Sequence, residues 1–238
     1  MTLDTQVTAL VTGATEGIGR ATAFALGRAG YRVGVCARTA SKLETLVDEL
    51  RTAGIEAAGR GGDVGLEGDA KAIVAGVERQ LGPVGVLVNN AGVLIAKRIE
   101  ELALEEWDVT MATNLRALFL LTREVLPGMR HRRQGAVVNV ASLAGKNGFV
   151  GGTAYSASKH AVLGFSRSLM LEVRRDGVRV IAVCPGSVAT ALLRDQPLLP
   201  TNPANILAPE DVAATIVHAL RLPERALLSE IDVRPTSP

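Results

Sequence analysis

The sequence predicts one doubly wound α/β domain with a parallel sheet of roughly seven strands flanked by helices. Its strand-like runs are apolar without alternation, as expected of strands that are buried on both faces of a parallel sheet. These runs alternate along the chain with stretches of helical periodicity. A glycine-rich turn joins the first run to the first helix, an arrangement that suits phosphate binding. No repeat or linker divides residues 1–238, so we expect one domain.

The composition excludes several classes of protein. Hydrophobic residues make up 47% of the chain and charged residues 21%, which is ordinary for a protein with a core, and the net charge of +2 is too small to indicate a nucleic-acid partner. Cys36 and Cys184 lie in apolar runs, which predicts buried free thiols, and they do not have the spacing of a zinc site with the histidines, so no metal is expected. Neither a signal peptide nor an apolar run of the roughly 18 residues that a membrane span needs is visible. A cytoplasmic protein without a membrane partner is expected.

The first predicted unit is a strand from Val7 to Val11, a turn from Thr12 to Gly19 and a helix up to Ala29. A glycine-rich turn between strand and helix brings backbone N–H groups and the positive end of a helix dipole to one point, where phosphate binds. The candidate residues are Gly13, Thr15, Glu16, Gly17, Ile18 and Gly19. The alternative is a structural turn without a ligand.

The second predicted strand, Tyr31 to Ala37, ends at Arg38 and Thr39. Dinucleotide folds usually place a carboxylate about 20 residues after the glycines, where it binds the ribose 2′-hydroxyl. This chain has no carboxylate there, whereas the guanidinium of Arg38 could bind a 2′-phosphate. The pattern therefore favours NADP(H) over NAD(H). The alternative is that Arg38 is an ordinary solvated charge.

The middle of the chain alternates in the same way. Leu43 to Leu50 has the periodicity of an amphipathic helix, a glycine-rich loop leads to Asp63-Val64, and Ala70 to Leu81 is helical again. The strand Val84 to Val88 ends at Asn89–Gly92. Amides and small residues at the carboxyl end of a strand belong where such sheets bind a ligand. The asparagine side chains could instead tie neighbouring strands together, and both interpretations can hold.

Trp107 to Met129 is predicted as one helix that contains Asn114. Asparagine is unfavourable in the middle of a helix. It therefore either disturbs the helix for a reason or points harmlessly outward. The charged sequence His131–Arg133 is expected to be a solvated turn, with a basic partner-binding patch as the alternative.

The strand Ala136 to Ala141 ends at Ser142, and a helix is predicted from Tyr155 to Arg174. Tyr155 and Lys159 are four residues apart and share one face of that helix. An ammonium near a phenol lowers the pKa of the phenol, which would give an acid/base group that works near neutral pH. The hydroxyl of Ser142 could hold a carbonyl oxygen beside them.

The end of the chain contributes two further strands. Val178 to Cys184 is closed by Pro185-Gly186, and Ile231 to Val233 is the last strand, after a helix that starts at Pro209. Residues 187–208 are irregular and are expected to form a mobile flap over a site. Features at the ends of different strands then meet where an open α/β sheet binds its ligand. They are Gly13–Gly19, Arg38, Asn89–Gly92 and Ser142.

In these motifs the chain resembles the short-chain dehydrogenase/reductase family in its single-domain, Rossmann-type form. The resemblance covers nearly the whole length. The motifs are Thr12-Gly-x-x-x-Gly-Ile-Gly19, Asp63-Val64, Asn89-Asn-Ala-Gly92, Asn114, Ser142, Tyr155-x-x-x-Lys159 and Pro185-Gly186 with Thr190.

The resemblance implies a role for each catalytic candidate. Tyr155 is the general acid/base, and Lys159 lowers the pKa of Tyr155 and bonds the nicotinamide ribose. Ser142 orients the substrate oxygen, and Asn114 holds a water in a proton relay. The implied reaction interconverts a carbonyl and a secondary alcohol with NADP(H).

The remaining implied contacts are with the cofactor. Asp63 and Val64 flank the adenine, Asn90 approaches the cofactor with Ala91 and Gly92, and Thr190 bonds the carboxamide. Pro185, Gly186 and Val188 belong to the same cofactor-binding set. Because Glu16 stands where some NADP-users have a basic residue, recognition of the 2′-phosphate rests on Arg38 with Thr39 or Ser41.

Other departures bear on the substrate. Ala141 replaces a second serine of many members, and the chain ends Val233-Arg234-Pro235 rather than in the Asp-Gly-Gly of many acyl-carrier-protein reductases. The chain therefore looks more like members that act on small hydroxy acids, diketones or varied carbonyls than like a 3-oxoacyl thioester reductase, and the mostly apolar pocket walls favour a fairly apolar carbonyl compound. The expected pocket walls are Leu94, Ala144, Phe149, Leu192 and Leu193, with Lys146 and Arg194 near enough to keep an acidic substrate open.

Two expectations concern the whole molecule. The resemblance implies a homodimer or homotetramer, assembled through the long helices or the last strand. The alternative function from another class is a sensor or scaffold that binds NADP(H) without turnover.

Overall fold

The computed structural model describes residues 7–194, 198, 205–223 and 225–236. Seven parallel strands form one sheet in the order β3-β2-β1-β4-β5-β6-β7. The strands are Thr8–Thr12 (β1), Arg32–Ala37 (β2), Ala57–Gly61 (β3), Val84–Asn89 (β4), Gly135–Val140 (β5), Val178–Pro185 (β6) and Glu230–Val233 (β7). The strand order reverses between β1 and β4, so the switch point where such folds bind ligands lies beside the glycine-rich turn. The predicted fold class is confirmed.

Helices cover both faces of the sheet. They are Gly17–Arg28 (α1), Ala40–Thr52 (α2), Glu67–Leu81 (α3), Leu104–Met111 (α4), Ala117–Arg132 (α5), Thr153–Val173 (α6), Ala191–Arg194 (α7) and Pro209–Arg221 (α8). Apolar side chains of α1, α2 and α8 pack on one face, and those of α3, α5 and α6 pack on the other. Strand side chains point alternately to the two faces, which is why the strands are apolar throughout. Cys36 and Cys184 are buried and free, as predicted.

The prediction of a glycine-rich loop before Asp63 was wrong, because Ala57–Gly61 is the edge strand β3. It pairs in parallel with β2, in the register Val33 with Ala57 through Ala37 with Gly61. Glycine and alanine have low strand propensity, so the local signal is weak. The strand forms because the backbone groups along β2 need partners. A side chain at Gly59 would place Cβ 2.8 Å from Val47 Cγ2, so helix α2 requires glycine there.

The prediction of one helix from Trp107 to Met129 also needs correction. Helices α4 and α5 are joined by a π-helical segment, Ala112–Arg116, in which Asn114 is buried. Asn114 therefore disturbs the helix and does not point outward. A π-helical turn accommodates one more residue than an α-helical turn, and such turns frequently occur at functional sites.

The expected flap is described at its two ends and at residue 198. Ala189 N donates to Leu207 O (2.8 Å) and Leu207 N donates to Ser187 O (2.9 Å), so the two ends are joined by backbone hydrogen bonds. Residues 195–197 and 199–204 of the flap lie outside the described residues. The mobility of the flap stays a prediction. In the described part of the chain, no helix is long and apolar enough to cross a bilayer.

Candidate active site

A cleft of about 1050 Å³ lies at the carboxyl ends of the strands. Nearly all the predicted site residues line it. They are Gly13, Thr15, Glu16, Gly17, Ile18, Arg38, Thr39, Asp63, Val64, Asn90, Ala91, Gly92, Ser142, Tyr155, Lys159, Pro185, Gly186, Val188 and Thr190. Gly19 and Asn114 do not line the cleft but lie directly behind its wall, in contact with residues that do. Residues that are distant in sequence thus meet in one site, as the strand ends predicted.

The glycine-rich turn leaves the first backbone N–H groups of α1 uncapped. The side chain of the N-cap residue Glu16 makes no cap hydrogen bond, and no acidic residue lies in the first turn of the helix. Gly13 and Gly17 have φ values of +60° and +54°, in the left-handed region that favours glycine. A Cβ atom at Gly19 would lie 2.3 Å from Gly13 O. The turn is therefore a close-packed cradle with free backbone donors, which is what a phosphate group needs.

Asn90 fixes this turn against strand β4. Its Nδ2 donates to Thr12 O (2.9 Å) and to Gly13 O (3.1 Å). The Thr12 hydroxyl accepts from the backbone N–H groups of Asn90 and Ala91, both at 2.9 Å. Asn89 likewise donates to Asn139 Oδ1 at 2.9 Å. The asparagine side chains therefore tie strands together, as one interpretation predicted. Asn90, Ala91 and Gly92 line the cleft, where ligand binding stays a prediction.

The end of the cleft beside β2 carries positive charge. Arg38 and Lys42 line it, both are exposed, and their side chains have no hydrogen-bond or ion-pair partner among the described residues. Thr39 is the N-cap residue of α2 and makes no side-chain cap hydrogen bond. Ser41, an expected phosphate contact, does not line the cleft, whereas Lys42 does. Lys42 was not among the predicted site residues, although its position in the first turn of α2, close to Arg38, could have indicated a second phosphate contact.

Tyr155, Ser142 and Lys159 meet where β5 ends against the first turns of α6. Tyr155 and Lys159 are both buried, with the ammonium 5.6 Å from the centre of the phenol ring. Lys159 Nζ donates to Val140 O (2.8 Å), the last residue of β5. Ser142 Oγ accepts from Ala144 N at 3.1 Å. The ammonium of Lys159 and the hydroxyl of Ser142 are thus held by backbone contacts near the end of one strand, and the phenol of Tyr155 forms a hydrogen bond with Ser142.

The pKa values of Tyr155 and Lys159 differ from those expected from the sequence. Burial raises the pKa of Tyr155 to about 12, partly opposed by its hydrogen bond with Ser142. Burial also lowers the pKa of Lys159 to about 8. The predicted lowering of the phenol pKa by Lys159 is therefore not seen in the protein alone. Desolvation is the largest cause of both shifts, because each group loses water when it is buried.

Substitution of Lys159 by methionine is expected to change how stability depends on pH. The native pKa of about 8 lies below the ordinary value of 10.5. Between these pH values the unfolded chain binds more protons than the native protein, so wild-type stability rises with pH. The free energy of unfolding of wild type minus that of the variant should therefore increase from pH 8 to 10.5. Denaturant titrations at several pH values measure it, and a constant difference would mean that Lys159 titrates normally.

Asn114 connects the π-helical segment to the catalytic helix. Its Oδ1 accepts from Val93 N (2.8 Å), and its Nδ2 donates to Val93 O (3.0 Å) and to Ser158 Oγ (3.0 Å). Ser158 Oγ in turn donates to Tyr155 O (2.7 Å). These contacts hold the loop after β4, which lines the cleft, against the helix that carries Tyr155 and Lys159.

The opposite end of the cleft is mainly apolar. The expected wall residues Leu94, Ala144, Phe149, Leu192 and Leu193 all line it. The rings of Phe149 and Tyr155 pack edge to face with centroids 6.2 Å apart.

Lys146 and Arg194, whose positions in the sequence kept an acidic substrate open, do not line the cleft. Lys146 instead forms ion pairs with Glu230 and Asp232. Arg234 and Pro235 line the cleft in their place. Neither Arg234 nor Pro235 was predicted as a site residue, because only the fold brings these residues to this wall.

Comparison with known proteins adds a family and several relatives. A family model described as short chain dehydrogenase matches residues 7–198. A Streptomyces coelicolor protein named as a ketoacyl reductase is 50% identical over 193 residues, which cover 80% of this chain and 74% of that protein. The 3-oxoacyl-acyl-carrier-protein reductase of Pseudomonas aeruginosa is 38% identical over 189 residues, which cover 79% and 76% of the two chains.

A similar solved structure is the crystal structure of an actinorhodin polyketide ketoreductase variant with NADPH. It has a TM-score of 0.89 and is 41% identical in sequence, with 96% of each chain covered. The likeness therefore extends over nearly the whole of both chains.

Proposed function

The chain belongs to the short-chain dehydrogenase family and is an oxidoreductase, and on that premise we propose that it interconverts a ketone and a secondary alcohol with NADP(H) in this cleft. The observation that carries the proposal is the meeting of Ser142, Tyr155 and Lys159 on the same cleft as the uncapped glycine turn. A phosphate-binding turn and an acid/base group on one wall are what coupled hydride and proton transfer needs.

The residues of the cleft fit NADP(H). The backbone donors of the glycine turn suit the pyrophosphate, and the exposed Arg38 and Lys42 suit the 2′-phosphate. Asp63 Oδ1 accepts from Gly65 N (2.8 Å), which holds the turn that places Asp63 and Val64 at the expected adenine end. The related ketoreductase structure with NADPH supports the same cofactor.

The side chains divide the proton chemistry among them. When bound, the cofactor supplies or accepts a hydride at the carbonyl carbon. In reduction, Tyr155 donates a proton to the carbonyl oxygen, and a phenol with a pKa of about 12 carries that proton at neutral pH. Ser142 holds the same oxygen by a hydrogen bond. A charged Lys159 favours the phenolate that remains, and the buried Asn114 is proposed to hold a water behind the site.

Substitution of Arg38 by alanine is expected to weaken NADPH binding about tenfold while NADH binding stays the same. The guanidinium can make charge-assisted hydrogen bonds to the 2′-phosphate, which NADH lacks. Calorimetric titration with each cofactor measures the two dissociation constants. Arg79→Ala is the matched control, since it removes the same charge from the exposed end of α3. An equal loss for both cofactors in Arg38→Ala would contradict the assignment.

The preferred substrate is a small, fairly apolar ketone, in keeping with the apolar walls of the cleft. A 3-oxoacyl thioester is the second candidate. The observation that favours it is that the similar Streptomyces and Pseudomonas proteins are named as ketoacyl and 3-oxoacyl reductases. The C-terminal sequence favours the first candidate, whereas these relatives favour the second.

The test is oxidation of NADPH, followed at 340 nm, with a panel of small ketones and 3-oxoacyl thioesters. The proposal expects turnover of at least one class, and the class that is turned over with the higher kcat/KM decides between the two candidates. A sensor or scaffold would bind NADPH by calorimetry but turn over no member of the panel. Light scattering after size-exclusion chromatography tests the further proposal of a homodimer or homotetramer.

A further inference from the structure

The last strand carries a row of charges on one face. Side chains two residues apart along a strand point to the same side, so Glu230, Asp232 and Arg234 share a face. Ile231 and Val233 point to the opposite face, where they pack against the core. The row of charges therefore runs along one face of the edge strand β7 and ends at Arg234, just after that strand.

Ion pairs connect this row to two cations from other elements. Lys146 contacts both carboxylates, at 2.7 Å for Glu230. Arg167 of α6 pairs with Glu230 at 3.0 Å, and Arg234 pairs with Asp232 at 3.2 Å. In this described cluster, two carboxylates are shared among three cations. One positive charge is left over, and Arg234 has to share its one carboxylate with Lys146.

Arg234 is the cation of this cluster that lines the cleft, whereas Lys146 and Arg167 do not line it. Its side chain is 56% exposed. The backbone beside it is anchored, because Gly186 N donates to Val233 O at 2.8 Å. Pro185, which precedes Gly186, offers its carbonyl to the Ser142 hydroxyl at 3.5 Å. The backbone just before Arg234 is thus anchored to the Pro185-Gly186 segment that contacts Ser142, and Arg234 and Ser142 line the same cleft.

We propose that Arg234 forms an anion subsite at the rim of the cleft and that the substrate is a ketone with an oxyanion, a carboxylate or a phosphate, away from its carbonyl. The inference rests on the proposed function and narrows each of its two substrate candidates to a ketone that carries an anion. The planar guanidinium matches either oxyanion with two parallel hydrogen bonds. The apolar walls contact the chain between the two polar ends of the substrate.

Two matched pairs of substrates test the inference and distinguish the sources of the anion. Acetoacetate and ethyl acetoacetate differ in a carboxylate, while acetoacetyl-N-acetylcysteamine lacks the phosphate-bearing nucleotide part of acetoacetyl-CoA together with its pantoate. Arg234→Gln should lower kcat/KM about tenfold for the anionic member of one or both pairs and leave the neutral members unchanged. The pair that responds identifies the anion. Arg234→Lys should restore part of the loss.

Control variants separate a subsite from a general effect of charge. Arg221→Gln removes the same charge from the last turn of α8, away from the cleft. In each pair it should leave the kcat/KM of the anionic member relative to the neutral member at the wild-type value. The KM for NADPH should be the same in wild type and Arg234→Gln, since the subsite is assigned to the substrate.

Binding without turnover completes the test. Calorimetry with cofactor-loaded protein compares 3-hydroxybutanoate with its ethyl ester, and CoA with N-acetylcysteamine, in wild type and Arg234→Gln. Equal effects on both members of each pair, or no effect in either assay, would overturn the inference. If neutral ketones are still reduced in that case, the proposed function stands. If no ketone of the panel is reduced, the proposed function fails separately.

Discussion

Replacement of Tyr155 by phenylalanine is expected to lower kcat for ketone reduction about a thousandfold, because general acid catalysis typically contributes 10²–10⁴-fold. The change removes one oxygen from a buried side chain whose ring packs against Phe149. The ring and its packing stay, so NADPH binding and the folded structure should be retained. Steady-state kinetics at saturating cofactor measure the loss, and calorimetry measures the cofactor affinity.

Tyr31→Phe is the matched control, since the chain has two tyrosines. Tyr31 is buried just before β2 and does not line the cleft, so its variant should keep wild-type kcat. Equal turnover in wild type and Tyr155→Phe would remove Tyr155 from the mechanism. A loss of the same size in both variants would point to damage to the fold and not to chemistry.

Substitution of Gly19 by alanine is expected to remove measurable cofactor binding or to destabilise the protein by about 1–3 kcal/mol, the usual cost of overpacking. The added Cβ would lie 2.3 Å from Gly13 O and 2.5 Å from Asn90 Nδ2. A backbone carbonyl cannot move aside as a flexible side chain can. The turn must therefore open, and its donors to phosphate would be displaced. Calorimetry with NADPH and denaturant titration measure the two effects.

Gly68→Ala serves as the comparison for this prediction. Gly68 is also helical, and a Cβ there would meet nothing within 4 Å. Its variant should bind NADPH as wild type does and should be at least as stable, since alanine favours a helix. Wild-type binding by Gly19→Ala would show that the turn tolerates a side chain and is not the close-packed cradle described.

Much of the fold and the site follows from local sequence signals. Buried parallel strands are recognisable because they are apolar on both faces, and glycines with positive φ at Gly13 and Gly17 mark the turn after β1. Tyr155 and Lys159 follow from helical spacing once the strand ends are placed. These residues meet at the carboxyl ends of the strands. This follows from the parallel topology, so it could be predicted from the sequence alone.

The features that could not be predicted from the sequence depend on contacts with neighbouring elements of the fold. Strand β3 has weak propensity of its own and exists because β2 offers unpaired backbone groups. The π-helical segment depends on the hydrogen bonds between Asn114 and Val93, which no periodicity encodes. Arg234 reaches the cleft through the pairing of β6 with β7. The pKa of Tyr155 moves opposite to the expected direction because burial, which the sequence pattern does not measure, outweighs the hydrogen bond with Ser142.

Transfer of deuterium to a ketone from NADPH in which both hydrogens at C4 are deuterium tests the central claim most directly. Mass spectrometry of the product should find one deuterium on the alcohol carbon when the wild-type protein is used. With Tyr155→Phe the same label should be transferred about a thousandfold more slowly. Tight NADPH binding by the wild-type protein without deuterium in any product from the ketone and thioester panel would contradict the claim and leave a protein that binds the cofactor without turnover.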